Sequence, residues 1–320
     1  MQRPKITIIL SAYNAEQYIE KCIDSVLNQT FKDFEFLIIE DVSTDGTLAI
    51  IERKASEDSR IRLIRKEKNN GFKGYVENLN RMIKEAKGEF IAKFDADDIW
   101  VETKLEKQLK DMQSHPDIFL LSANAFRIDE KGEVNGEVIR PHDPEESAKM
   151  LLHSNPFCHP SIFFRNEGYL YRPNMYYTEE YDLYLRLFSD GKKLVHRKDF
   201  LFYYRILDSS MSRGNKTLVQ ALFKEKAIEF YHQRVRWGKD EYESFEPNDY
   251  LQILNLNYSN AKNDLEKALK LAFIAELEDD FKILIKKAVK QFGIMSFLKF
   301  WFISKNFKLA RTVYSSKNAS

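Results

Sequence analysis

Only two cysteines occur in 320 residues, Cys22 and Cys158, far apart and outside any CxxC. That scarcity excludes a disulfide framework and a cysteine metal knuckle, and it points to a reducing compartment. No apolar run approaches the ~20 residues needed to cross a bilayer; the longest, residues 292–303, is broken by Lys299. No charged leader or apolar h-region precedes the first strand-like run, so secretion is not expected and the location is read as cytoplasmic. Neither GxGxxG nor GxxxxGK[ST] follows that run, which argues against a dinucleotide-binding Rossmann protein and a P-loop ATPase. Internal repeats and low-complexity segments are missing too. Acidic residues disappear altogether after Asp280.

That last absence changes the meaning of the overall charge. With 50 basic and 49 acidic residues the net charge is only +1, yet the residues after Asp280 carry eight lysines and Arg311. The tail is therefore +9 and the rest of the chain −8. The length allows one large or two modest domains with a sizeable core.

Residues 6–10, 34–39, 61–64 and 90–94 are short apolar, β-branched runs of the kind buried on both faces of a parallel sheet. Helical periodicity separates them: Tyr18, Ile19, Cys22, Ile23, Val26 and Leu27 follow one stripe, with Asn14 as a candidate N-cap, and helices are expected to about residue 57 and over 71–86. Alternating strands and crossover helices predict an α/β fold with a mainly parallel, Rossmann-like sheet and helices on both faces. A charged helix over 101–113, a strand over 118–128 and a mixed region to residue 213 follow. Beyond residue 216 only helical signals remain, at 218–234, 261–276 and 281–291, with a broken stretch at 240–257. The expected organisation is a domain over 1–215 and a helical extension over 216–320.

Ligands of open α/β sheets bind beyond the carboxyl ends of the strands. Three polar clusters fall there: Ser11 to Asn14, Glu40-Asp41, and Asp95-Ala96-Asp97-Asp98. Asp95 and Asp97, two apart, offer hard oxygen ligands suited to Mg²⁺ or Mn²⁺. Helix capping and turn chemistry are the competing reading, evenly matched for Asp95 to Asp98 and favoured for Glu40-Asp41 taken alone.

Taken together, residues 6–14, Ser25-Val26-Leu27-Asn28-Gln29-Thr30, the run 38–47, and Ala86-Lys87-Gly88-Glu89-Phe90 leading into Asp95-Ala96-Asp97-Asp98-Ile99-Trp100 resemble family 2 glycosyltransferases with the GT-A fold, of the bacterial capsule and O-antigen type. The resemblance covers roughly residues 4–213. It implies transfer of a sugar from a nucleotide diphosphate donor, usually a UDP-sugar, with inversion at the anomeric carbon and Mn²⁺ or Mg²⁺ at the DxD motif. Carried over, Ser11, Tyr13 and Asp41 fall on the donor side, Asp95 at the ribose or metal-bound diphosphate, and Asp97 becomes the principal metal ligand. Glu40 stands where the family has aspartate, and Val42 where it commonly has glycine.

Thr178-Glu179-Glu180-Tyr181-Asp182 resembles the family's acidic segment at the acceptor site, which implies a carboxylate base: Glu180 ahead of Glu179, with either left open. Asp182 would fix the loop or an acceptor hydroxyl. His159, in Asn155-Pro156-Phe157-Cys158-His159, falls on the acceptor side as a hydrogen-bonding residue; no triad pattern supports a Cys158 nucleophile. His196 has only a surface or structural reading. Leu207 stands where the family often has a metal- or diphosphate-binding histidine, so Arg205 or Arg213 is expected to bring positive charge to the diphosphate. Trp100, Tyr176, Tyr177, Tyr181 and Tyr184 are candidates to stack on sugars or to fill the core.

In residues 292–314, Phe297, Leu298, Phe300, Trp301 and Phe302 are interleaved with Lys299, Lys305 and Lys308. That mixture suits an interfacial helix on an anionic leaflet, with a core-packing helix pair as the other reading. Nucleic acid is not an expected partner. The expectation is an inverting, metal-dependent hexosyltransferase acting on a glycan or polyprenyl-linked glycan in surface polysaccharide assembly, peripheral at the inner face of the membrane. The alternatives are a catalytically weak sugar-nucleotide-binding or scaffolding subunit, and a nucleotidyltransferase, which the lack of a Gly-rich N-terminal loop disfavours.

Overall fold

The computed structural model describes residues 3–207, 217–247, 261–274 and 278–310. The apolar runs become strands and the periodic stretches helices in the order β1 (Ile6–Ala12), α1 (Ile19–Leu27), β2 (Phe34–Glu40), α2 (Thr47–Glu57), β3 (Ile61–Arg65), α3 (Gly71–Glu85) and β4 (Phe90–Phe94). β5 (Ile99–Trp100), α4 (Lys104–Ser114), β6 (Ile118–Ile128), β7 (Val134–Val138), α5 (Pro144–Leu151), β8 (Phe163–Arg165), α6 (Glu179–Ser189) and β9 (Lys193–Arg205) follow. One sheet joins all the strands in the order β3-β2-β1-β4-β8-β6-β9-β5, with β7 on β6. β1 to β4 pair in parallel; β8 runs antiparallel between β4 and β6, and β9 is parallel to β6.

Strand alternation divides the side chains between two covered faces. Ile6, Ile8, Leu10, Phe36, Ile38 and Phe94 share a buried cluster with Ile19, Cys22, Ile23 and Val26 of α1 and Leu105 and Leu109 of α4. On the other face, where α3 packs, Ile9 stands beside Lys93. Leu10 pairs with Phe94 and Ala12 with Glu40, so the loops after β1, β2 and β4 leave one edge of the sheet. Gly88 secures this register. A Cβ there would lie 2.4 Å from the Thr7 nitrogen, and its own N–H donates to Thr7 Oγ1 at 2.8 Å, so only glycine fits so close to β1.

The chain divides into two units: residues 1–173 with 179–208, and residues 174–178 with 209–320. In the second, α7 (Thr217–Trp237) contributes Leu222, Phe223, Ala227 and Phe230 to a buried interior. The helices Ala261–Ile274 and Glu278–Phe292 pack together. A single interfacial helix over 292–314 does not form. Gly293, at φ 79°, ends one helix, a short helix Leu298–Lys305 follows, and Asn306 breaks the chain again. Phe297, Phe300 and Phe307 are buried in the unit's interior, which matches the core-packing reading for those three. Residues 248–257, 275–276 and 311–314 of the expected elements lie outside the described residues.

His196 of β9 is buried. Its Nε2 faces Asn124 Oδ1 at 2.8 Å and its Nδ1 meets the Ser122 hydroxyl. A carboxamide oxygen only accepts, so Nε2 carries the proton and the ring is neutral. Burial, then Arg140 and His142, depress its pKa to about 4 from 6.5. Above pH 6.5 neither folded nor unfolded chain is protonated there; between 6.5 and 4 only the unfolded chain takes up the proton, so stability falls with pH. A His196→Gln variant, compared with the parent by urea denaturation across that window, is expected to lack up to about 3 kcal/mol of the loss.

Candidate active site

β4 is buried throughout, and its fourth residue is Lys93, a lysine only 1% exposed. Its ammonium pairs with Asp95. Asp97 follows, part-exposed, and burial with the Asp95 charge raises its carboxyl to about 6. Asp98 is buried and turned inward, where its Oδ1 accepts from the Arg205 N–H at 2.8 Å and so ties the loop to the end of β9. Arg205 completes the clamp: its Nε donates to the Asp97 carbonyl at 2.8 Å and its Nη1 to the carbonyls of Asp129 and Glu130 at 2.7 and 3.0 Å. Two aspartates, Asp95 and Asp97, are thus left part-exposed. The third anchors them.

α6 begins with Glu179 and Glu180. The candidate ligand atoms of His159, Glu179 and Glu180 all lie within 4.8 Å of one another. Burial pushes Glu179 well above the ordinary carboxylate range and the Glu180 charge pushes it further, while burial raises Glu180 as well. Glu179 Oε2 is buried with no hydrogen-bond partner. His159 is held well below its ordinary pKa by burial and then by Lys93, so it is neutral; its Nε2 meets the Tyr171 hydroxyl at 2.9 Å. The Lys93 charge bears on Asp97, Asp98, Glu179, Glu180 and His159 alike. Tyr75 of α3 belongs to the same group: burial, then Asp95 and Glu179, raise its hydroxyl well above the ordinary range.

At the β1 and β2 ends, Ser11 Oγ accepts from Asn78 Nδ2 of α3 at 3.0 Å, and Tyr13 is half exposed. Asp41 is buried and pairs with Lys66 at 2.7 Å. Glu40 is buried too, and its carboxylate accepts the N–H groups of Val42 and Ser43 at 3.2 and 2.6 Å. Val42 is held there at φ 63°, a left-handed conformation that a β-branched residue rarely adopts.

The profile of Glycosyl transferase family 2 matches residues 7–172, just over half of the chain. The chain belongs to this family. The family 2 glycosyltransferase is 33% identical over 221 residues to the glycosyltransferase EpsE of Bacillus subtilis (strain 168), a match covering 67% of this chain and 77% of the relative. It is also 33% identical over 235 residues to WfaP of Escherichia coli, named a UDP-Glc:alpha-D-GlcNAc-diphosphoundecaprenol beta-1,3-glucosyltransferase, across 71% of this chain and 89% of the relative. Among solved structures, S. aureus TarS 1-349 in complex with UDP-GlcNAc superposes with a TM-score of 0.60 at 17% identity over 96% of this chain and 92% of that one. At that identity the likeness shows the GT-A fold.

Within this glycosyltransferase the structure brings Asp95, Asp97, Glu179, Glu180 and His159 into one electrostatic group, with Ser11, Tyr13 and Asp41 at the same sheet edge. Other expected site residues sit elsewhere. Trp100 is 2% exposed, with its ring 4.3 Å from Phe94 and the Lys104 ammonium 3.9 Å from its centre, so it is core and offers no stacking face to an acceptor. Tyr181 and Tyr184 are buried as well. Arg205 commits its Nε and Nη1 donors to backbone carbonyls. Asp182 is buried between Arg172 at 3.3 Å and Arg186 at 2.9 Å, so it fixes the loop and does not face an acceptor. Asn14 does not cap α1, which starts at Ile19; its Oδ1 accepts the Thr44 N–H at 2.8 Å and joins the first two loops. Arg213 lies outside the described residues. Cys158 is buried with its thiol raised to about 11, unfit as a nucleophile.

Lys93 and Tyr75 were not singled out from the sequence. A lysine inside the apolar run Phe90–Phe94, directly before three aspartates, is the signal that would have marked the first. At Val42 the glycine common in the family would fit the left-handed backbone without a Cβ clash. Val42→Gly is expected to raise the free energy of unfolding by about 1 kcal/mol, read from the midpoint of a urea titration.

Proposed function

We propose that this glycosyltransferase moves a sugar from a UDP-sugar to a lipid-linked glycan in surface polysaccharide assembly, with inversion at the anomeric carbon. The supporting observation is the union at one sheet edge of the Asp95 and Asp97 carboxylates with the Glu179-Glu180 pair around the buried Lys93 ammonium. UDP-sugar and lipid-diphosphate chemistry are those named for the relative WfaP.

The carboxylates at the DxD motif fit a divalent cation. Asp97 is held protonated up to about pH 6 by burial and by Asp95, a cost that a cation bound through hard oxygens removes. Asp97, with Asp95, would hold Mn²⁺ or Mg²⁺, which when bound supplies positive charge to the departing diphosphate. Ser11, Tyr13 and Asp41 border the donor's nucleoside.

Glu180 is the base. Glu179, the more deeply buried of the pair, keeps its proton and donates a hydrogen bond to Glu180, so the part-exposed Glu180 carboxylate is the one open to an acceptor hydroxyl. Glu180 takes that proton as the hydroxyl oxygen attacks the anomeric carbon and the bond to the diphosphate breaks, a single displacement that inverts the centre. Neutral His159, fixed by Tyr171, offers the acceptor a hydrogen-bonding nitrogen without a competing charge. The lipid-linked acceptor sets the reaction at the inner face of a membrane. No described helix is long and apolar enough to cross one, and the basic C-terminal segment is the element we assign to peripheral contact.

Glu180→Gln is expected to bind donor normally in calorimetry and to lose transfer by about 10²–10⁴-fold. Because the base must be ionised and its pKa is raised, transfer in the parent should fall away on the acid side above the ordinary carboxylate range; an acid limb at pH 4 would remove Glu180 from the role. Asp97→Ala should abolish Mn²⁺-dependent enhancement of UDP binding. Full enhancement in that variant would refute the metal assignment.

A further inference from the structure

The second unit contains a site that the transfer chemistry does not use. Between the helices Glu278–Phe292 and Leu298–Lys305 lies an open cleft of about 320 Å³, lined by Lys282, Lys286, Lys305, Trp301 and Ser304 among others. Lys282 is engaged by Glu278 at 2.6 Å. Lys286 and Lys305 have no acidic partner among the described residues, and the Lys305 ammonium lies 5.5 Å from the Trp301 ring centre. No acidic residue follows Asp280, so the segment after the first helix turn has nothing of opposite sign to neutralise them.

In the same stretch of chain, apolar side chains are exposed. Met295 is 79% exposed and Phe302 56%, and Leu298, one turn before Phe302, is also exposed. A soluble surface rarely gathers such residues in so short a stretch without a partner. Phe297, Phe300 and Phe307 from the same stretch are buried, so the exposed set is what remains after the unit's own interior is satisfied.

We propose that this cleft seats the phosphate headgroup of an anionic phospholipid in a bilayer leaflet, while Met295, Leu298 and Phe302 enter the boundary between headgroups and acyl chains. Charge complementarity selects the occupant: two uncompensated ammonium groups with an indole at their edge match an anionic headgroup, and the adjoining apolar side chains match the acyl boundary. A protein partner would need acidic groups and an apolar patch at the same spacing; a leaflet supplies both everywhere. The inference rests on the peripheral reading above and is independent of the metal and base assignments.

The test is co-sedimentation of the full chain with phosphatidylcholine vesicles, with and without phosphatidylglycerol, beside calorimetry with inorganic pyrophosphate. The parent is expected to bind the anionic vesicles at least tenfold more tightly than the neutral ones. Lys286→Glu with Lys305→Glu should weaken that binding by about tenfold or more, and Met295→Ser with Phe302→Ser should weaken it separately. Both double variants should keep the parent's melting temperature and UDP affinity. Equal binding of parent and charge-reversed chain to anionic vesicles overturns the cleft assignment while leaving peripheral association standing. No vesicle binding by the parent overturns both. Uptake of pyrophosphate without vesicle binding identifies a free-anion site and likewise overturns the proposal.

Discussion

A buried ammonium makes the crowded edge of this sheet possible. Asp97, Asp98, Glu179 and Glu180 crowd there around the Asp95 charge, and burial alone would drive these four toward the protonated form. Lys93 supplies the opposing field from within β4, where the strand fixes its backbone and the sheet keeps water away. A charge so placed is costly to bury unless well paired, and Asp95 is its partner. The result is a graded set of carboxyls. Asp98 and Glu179 are the most strongly raised, whereas Asp97 and Glu180 are part-exposed and raised less.

The neighbouring loops are held by a different device. Glu40 ties the backbone of Val42 and Ser43, Asn14 ties Thr44, and Arg205 ties the Asp97 carbonyl to β9 and the 129–130 turn. Each of these side chains looks like site chemistry in a one-dimensional reading, and each is consumed in positioning. Loops tied down in this way leave less conformational entropy to be lost on binding a ligand. The strained Val42 backbone is tolerated because Glu40 over-determines it.

The sheet and its crossover helices were legible because their signal is local: buried runs of five to seven residues and helical stripes. The DxD pair and the Glu179-Glu180 segment were legible through their resemblance to family motifs. What escaped depends on partners distant in sequence. Nothing near Trp100 reveals that Phe94 and Lys104 enclose it, and nothing near Asp182 reveals Arg172 and Arg186 closing on it. Arg205 seemed free for a phosphate because carbonyls, its actual partners, leave no trace in side-chain identity. The tail was half legible. Alternating aromatic and basic residues marked both readings, and only packing distinguishes Phe300, turned inward, from Phe302, turned outward.

Residues 174–178 leave the first unit and belong to the second. Tyr176 packs against Phe223 with the rings tilted, the Tyr177 carbonyl accepts from Gln220, and the Asn174 N–H donates to the Tyr242 hydroxyl. The chain then returns directly into Glu179 and Glu180. Residues 174–178 and their hosts Gln220, Phe223 and Tyr242 thus belong to one packed set, although the chain enters that unit twice.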